Sequence, residues 1–284
     1  MGHRRMTDLS NNDALGGAGE FEDILVDDWE PGIRRITINR TKLRNAYRSV
    51  TAQEIARAVE QFAADDSARV LVITGAGGAF CSGGDLTSDY ETTHAHEVQW
   101  GHGTVIREGM HQPMRRLQLC DKPVIAMISG AAVAGGLSLA LACDLRIADR
   151  TARLGDTSGR VGLLPDEGGA WFFPRAMGAD RALRMLWGGE VYAAQRAYDL
   201  GLLTELVDAD QLETTVLELA RSIAAAAPLT TKVVKRMVRH AQRQSLDEAL
   251  QEAEYAAEFI NETNDVQEGV AAFLERRPPR FTGR

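Results

Sequence analysis

No apolar run in the sequence approaches the length of a membrane span, so a transmembrane anchor is not expected. Basic residues are outnumbered: 32 Lys and Arg face 40 Asp and Glu, a net charge of −8. Sequence-independent binding to nucleic acid needs a dominant basic surface, so that partner class is excluded. Cysteine is scarce. Cys81, Cys120 and Cys143 are odd in number and show no CxxC spacing, which argues against a disulfide framework and suits a reducing cytoplasm. The first stretch, MGHRRMTDLSNNDALGGAGE, lacks the apolar segment of a secretory signal and reads as a polar, flexible arm over 1–20.

What is present is an ordinary globular composition, 44% hydrophobic and 25% charged, in a chain long enough for one large domain with an appendage. Ile24–Val26 and Ile33–Ile38, on either side of Pro31–Gly32, predict a β-hairpin. Thr51 and Glu54 have capping-box spacing, and Ile55, Ala58, Val59 and Phe62 share a face, so a helix is predicted from near Thr51. Val70–Thr74 and Val124–Ile128 are fully apolar and read as buried strands. From Asp180 the pattern turns helical over 181–187, 193–200, 210–226, 229–242, 247–261 and 265–274, with a β-rich interval at Leu203–Val207. The chain therefore divides into an αβ core over 21–200 and a helical layer over 201–284.

Two glycine turns, each at the end of an apolar strand, carry the candidate chemistry. One is GAGGAFCSGGDL, Gly75–Leu86; the other is SGAAVAGGLSLALACD, Ser129–Asp144. Glycine permits a positive φ or the close approach of a ligand. The first N–H groups of a helix opening at Gly135 have no intrahelical partner and carry the positive end of its dipole. Such groups suit a developing oxyanion, and two turns from one sheet can each offer one N–H to a single oxygen. GAGGAF lacks the third glycine and the following helix of a dinucleotide fingerprint. The stretch 87–115 holds His94, His96, His102 and His111 with Trp100 between them, but no Cys or acidic cluster completes a metal site there. Neither a metal nor a redox cofactor is expected.

FCSGGDL, then SGAAVAGGLSLALACDLRIA, then VGLLPDEGGAWFFPRAMG, and the closing EGVAAFLERRPPRF resemble, in that order, the enoyl-CoA hydratase/isomerase (crotonase) superfamily over roughly residues 22–281. The resemblance implies an α/β fold, a crotonase-like spiral of ββα units with a helical C-terminal trimerisation region. It also implies a homotrimer or homohexamer (a dimer of trimers) and an acyl-CoA thioester substrate, with coenzyme A entering as part of the substrate. Carried over onto this sequence, the oxyanion-hole N–H groups are those of Gly84 and Gly135. By the same resemblance Gly83, Asp85 and Leu86 border the substrate, Ser82 lies beside the CoA adenine, and Arg44 and Ala46 border the nucleotide.

The departures from the family pattern bear on the reaction. Hydratase members carry glutamates where this chain has Ser138 and Ser158, both expected at the substrate. A serine hydroxyl has no useful acid–base pKa near neutrality. Asp166 of LLPDEGG matches the P-D-x-G-G motif of isomerase members, and an apolar pocket would raise its pKa into the useful range. The resemblance thus favours a double-bond isomerase, with Asp166 moving the proton while Gly84 and Gly135 hold the enolate. A hydratase and a non-catalytic acyl-CoA-binding homologue are the alternatives. Asp166 also reads as a cap for the helix starting near Gly168, and Glu167 as surface-directed. Asp156 reads as a turn former and Asp144 as structural, with Arg146 for an ionic partner. Lys232, Lys235, Arg236 and Arg239 make one basic helical face, turned to solvent or to CoA phosphates.

Overall fold

The computed structural model describes residues 21–86 and 101–284, so the arm over 1–20 and His94, His96 and Trp100 lie outside the described residues. The main sheet is built from β1 (Ile24–Glu30), β2 (Ile33–Ile38), β3 (Val70–Gly75), β4 (Val124–Ile128), β6 (Leu145–Asp149) and β9 (Glu205–Val207), neighbours in that order. The predicted hairpin is β1–β2, antiparallel; every later pairing in this sheet is parallel. A smaller sheet holds β5 (Ala131–Val133), β7 (Arg153–Gly155) and β8 (Val191–Ala193). The chain passes from β4 to β5 and again from β6 to β7, leaving the large sheet for the small one each time. That repeated step is the turn of a ββα spiral, and the fold is the crotonase-like α/β fold with a helical C-terminal region.

Strand alternation explains how both faces of the large sheet are covered. Val70 and Val72 join Ile33, Ile125, Met127 and Ile147 on one face, packed by Leu212, Val216 and Ala220 of α8 (Leu212–Ala224). Leu71 and Ile73 point the other way, into the core shared with Ile55, Val59 and Phe62 of α1 (Ser49–Ala64) and Leu137 of α4 (Gly135–Ala142). Phe62 is fully buried, a contribution of about 2–3 kcal/mol for its side chain alone. The start of α1 differs from the predicted one. Its first turn is closed by Thr51, whose hydroxyl accepts the Arg48 N–H at 3.1 Å. Glu54 instead accepts the N–H groups of Glu22 (2.6 Å) and Asp23 (2.8 Å), so the Thr51–Glu54 capping pair does not form.

Four more helices follow the spiral closely: α2 (His102–Glu108), α3 (His111–Leu119), α5 (Gly169–Met177) and α6 (Ala179–Gly188). Further along the chain come α7 (Ala194–Asp199), α8, α9 (Pro228–Ala241), α10 (Leu246–Asn261) and α11 (Asn264–Glu275). Among the described residues no helix is long and apolar enough to cross a membrane.

Candidate active site

The first glycine turn is held by the loop after β2. Asn45, buried and at φ 58°, donates its side-chain N–H groups to the carbonyls of Ala76 (2.8 Å) and Ala79 (2.6 Å). Its side-chain oxygen accepts the Arg40 N–H at 2.9 Å. Tyr47 donates its N–H to the Gly83 carbonyl (2.9 Å), and Asp85 donates its own to the Tyr47 carbonyl (2.8 Å). The N–H of Gly84 is left outside this short ladder. Arg40 clamps the arrangement through Asp85 (2.9 Å), whose side chain is almost fully buried, and through Asp23 (3.4 Å).

The second turn opens α4 at Gly135, so that N–H has no acceptor within its own helix. Ala134 precedes it at φ 52° and ψ −122°. A positive φ without glycine costs about 1–3 kcal/mol and marks backbone over-determined by its surroundings. The strain falls on the peptide that carries the Gly135 N–H. A side chain at Gly135 has no room: its Cβ would lie 2.5 Å from Tyr47 Cε1 and 2.7 Å from Glu167 Oε1.

Between the turns lies a cavity of about 530 Å³. Its polar lining includes Tyr47, Gly84, Ser158, Asp166 and Glu167, and its apolar lining includes Leu86, Val105, Ile106, Met110 and Leu164. Glu167 is the buried carboxyl, only 6% exposed. The Tyr47 hydroxyl donates to its Oε1, and Oε2 has no hydrogen-bond partner among the described residues. Burial pushes the Glu167 pKa up to about 7; the Tyr47 hydrogen bond opposes this, and the charges of Asp166 and Asp156 add to it. Burial, with the Glu167 charge behind it, also pushes the Tyr47 phenol well above its usual range. The expectation of a surface-directed Glu167 is therefore corrected. The chain enters α5 through Gly168 at φ 101°, a conformation open to glycine, and Glu167 ends up inside.

Asp166 stands at the open side of the cavity, its side chain about one-third exposed. Its Oδ2 lies 3.3 Å from His102 Nε2, and its backbone carbonyl accepts a hydrogen bond from His111 Nε2 at 2.7 Å. It does not cap α5, whose N-cap is Gly168 with no side-chain cap bond. Asp156 is fully buried, and its Oδ1 accepts the Ser158 N–H at 2.8 Å in a local turn. Burial raises its pKa.

The structure brings Ser82, Gly83, Gly84, Asp85, Leu86, Ser158 and Asp166 to one cavity, with Gly135 against the Tyr47–Glu167 contact. Arg44, Ala46 and Ser138 are not in its lining. Arg44 is exposed at φ 51°, Ala46 is buried with its carbonyl taken by Arg40, and Ser138 is fully buried with no partner for its hydroxyl among the described residues. Sequence reasoning missed Tyr47 and put the inward carboxyl at Asp166 alone. Of the four histidines in the 87–115 stretch, two are described, and both contact Asp166. Among the described residues no group of three or more His, Cys, Asp or Glu is placed to hold a metal ion.

A mostly parallel sheet feeding a small second sheet, with two glycine turns facing a carboxyl-lined cavity, defines the crotonase class of α/β enzyme. The family model for enoyl-CoA hydratase/isomerase matches residues 28–284, and the chain belongs to that family. It is 32% identical over 256 residues to 1,2-epoxyphenylacetyl-CoA isomerase of Escherichia coli (strain K12), covering 90% of this chain and 97% of that protein. It is 35% identical over 253 residues to a probable enoyl-CoA hydratase of Rhodobacter capsulatus, covering 89% and 95%. An enoyl-CoA hydratase of Bacillus anthracis superposes with a TM-score of 0.87 at 31% identity, covering 93% of this chain and 100% of that one. The protein is an acyl-CoA thioester enzyme of the crotonase superfamily. Its relatives carry both hydratase and isomerase names, so they lend no weight to the isomerase lean read from Asp166.

Proposed function

We propose that the chain hydrates the double bond of a 2-enoyl-CoA thioester. The observation that carries this is a pair of adjacent carboxyl groups in one cavity, Asp166 and Glu167, with Glu167 buried against the Gly135 turn. They offer, from another loop, the two carboxyl groups that Ser138 and Ser158 do not. The hydratase names of two of the three relatives support the same reading. The N–H groups of Gly84 and Gly135 hold the thioester oxygen as negative charge develops on it; losing one such donor typically costs roughly 3–4 kcal/mol. Asp166, open to solvent, takes a proton from water as the water oxygen bonds to C3. Glu167, which holds its proton up to about pH 7, gives it to C2 as the enolate collapses. Asp166 then releases its proton to solvent and Glu167 regains one, so one water is consumed per double bond. The proposal includes self-association into a trimer or a dimer of trimers. In the single chain the apolar side chains of Val238 on α9 and of Leu250 and Phe259 on α10 are exposed.

The test is incubation in D₂O with 2-enoyl and 3-enoyl CoA thioesters, read by mass spectrometry and NMR. Hydration gives a 3-hydroxyacyl-CoA with one deuterium at C2, and Glu167→Gln lowers turnover at least 100-fold. A second reading, isomerisation, is favoured by the serines at 138 and 158 and by the P-D-x-G-G pattern around Asp166. Label at C2 or C4 with a moved double bond and no added water would put it first. Tight binding without exchange at any carbon would leave a non-catalytic acyl-CoA binder.

A further inference from the structure

We infer that Tyr47 is a positioning residue that holds Glu167 in register with the two glycine turns, an inference that rests on Glu167 being the proton carrier proposed above. Tyr47 is bound into the first turn by its backbone on both sides, through the Gly83 carbonyl and the Asp85 N–H. Its ring lies against Gly135, where a Cβ would come within 2.5 Å of Cε1 and 3.0 Å of Cζ. Its hydroxyl lies on the Gly84 side, 3.5 Å from where a Cβ would stand. The same hydroxyl donates to Glu167 Oε1. One side chain therefore touches both turns and the buried carboxyl, and it joins the loop after β2 to the loop before α5.

Glu167 has no other hydrogen bond to a described side chain to fix its orientation, and its Oε2 remains without a partner among the described residues. Without the phenol hydroxyl the carboxyl keeps only a backbone hydrogen bond from its own residue and loses its tie to the two turns, and misplacement of about 1 Å in a reacting group is enough to cost roughly 100-fold in rate. The titratable groups around Glu167 are Tyr47, Asp156, Asp166 and Cys81, with His102 and His111 contacting Asp166 from α2 and α3. Of these, Tyr47 favours the ionised carboxyl through its hydrogen bond, whereas Asp156 and Asp166 disfavour it. Removing the hydroxyl therefore lets Glu167 keep its proton to higher pH, whichever direction the proton moves in catalysis.

The experiment compares wild type, Tyr47→Phe and Glu167→Gln. For each, kcat and KM are measured across pH 5–9 with a short 2-enoyl-CoA, and the Glu167 carboxyl is titrated by ¹³C NMR without substrate. Phenylalanine preserves the ring against Gly135, so the fold is retained. The expected result for Tyr47→Phe is a kcat lowered about 10- to 100-fold, KM within about threefold, and both the NMR titration and the matching kcat/KM limb moved up by about half to one pH unit. An unmoved titration in Tyr47→Phe with unchanged kcat overturns the role of Tyr47 while leaving Glu167 in place. Full activity in Glu167→Gln overturns the proposed function and this inference with it.

Discussion

Gly84 and Gly135 occupy equivalent places in two glycine turns, yet the space around them differs. A Cβ at Gly84 would meet Tyr47 at 3.5 Å, an ordinary contact, and Gly84 does not have a positive φ. At Gly135 it would collide with Tyr47 and Glu167, and at Gly136 with the Cys81 carbonyl at 2.1 Å. Gly84→Ala is expected to fold with a Tm within about 2–4 °C of wild type, a change under about 1 kcal/mol, and to keep most of its turnover. Gly135→Ala should fold but displace the Tyr47–Glu167 pair and lose turnover at least 100-fold. Equal losses in the two variants would show that the turns are sterically alike. Glu167 carries a second prediction. Its folded pKa of about 7 lies above the ~4.3 of an ordinary glutamate, so the folded state binds the extra proton between those values. Stability is then highest below about pH 4 and falls as pH rises to about 7, by roughly 3–4 kcal/mol in all. Glu167→Gln keeps an acceptor for Tyr47 and removes this loss. Its urea midpoint should exceed that of wild type by a margin that grows from pH 5 to pH 8, and a constant margin would refute the raised pKa. The inward turn of Glu167 was not legible in LLPDEGG, where two adjacent acids differ only by the backbone path through Gly168.

At the scale of elements, the sequence located α9 to within a residue or two but not the direction of its cations. Lys235 is buried against Asp144 and donates to the Lys122 carbonyl, while Arg239 reaches Asp144 (3.1 Å) and the carbonyls of Leu117, Gln118 and Cys120. Arg236 pairs with Asp121. Asp144 thus takes its ionic partners from α9; Arg146, the partner expected from sequence, donates instead to the Cys143 and Asp144 carbonyls. Periodicity shows which residues share a face but not what that face meets, and α9 folds most of its basic face back on its own core. Asp144 also accepts the Val124 N–H at 2.8 Å, joining α9 to the start of β4. Asp144→Ala leaves Lys235 buried without its counter-charge, a loss of roughly 3 kcal/mol or a Tm lower by about 6–12 °C. Thermal melts should show this drop, with Lys232→Ala as the near-neutral control. Matching Tm values for the two would mean that Asp144 does not anchor the helix.

For the whole molecule, the apolar strands and glycine turns were readable because they answer to local rules, strand alternation and backbone freedom. The site was less so, because Tyr47 and Glu167 meet across 120 residues of chain. Assembly is also a property of the whole. Exposed Val234, Val238, Tyr255, Phe259, Val270 and Phe273 place a large apolar area on the helical layer. Light scattering should return three or six times the 31.0 kDa chain mass, and Phe259→Glu should shift the population toward smaller species. A monomer at micromolar concentration would remove self-association from the proposal.

The packing of the glycine turns also bears on how such a chain diversifies. A Cβ at Gly75 would strike the Ala79 carbonyl at 2.1 Å, one at Gly130 the Gly78 carbonyl at 2.0 Å, and one at Gly136 the Cys81 carbonyl at 2.1 Å. Each obstacle is backbone, which no side-chain rearrangement relieves. The opposite wall is built differently: α2 has no buried residue, and Leu163 and Leu164 are exposed side chains of a loop. In a saturation library selected for folding, variation should pile up on that wall and vanish at the three glycines. If the proposed function holds, descendants of this sequence can remodel the acyl-facing wall while the backbone packing beneath the glycine turns stays frozen.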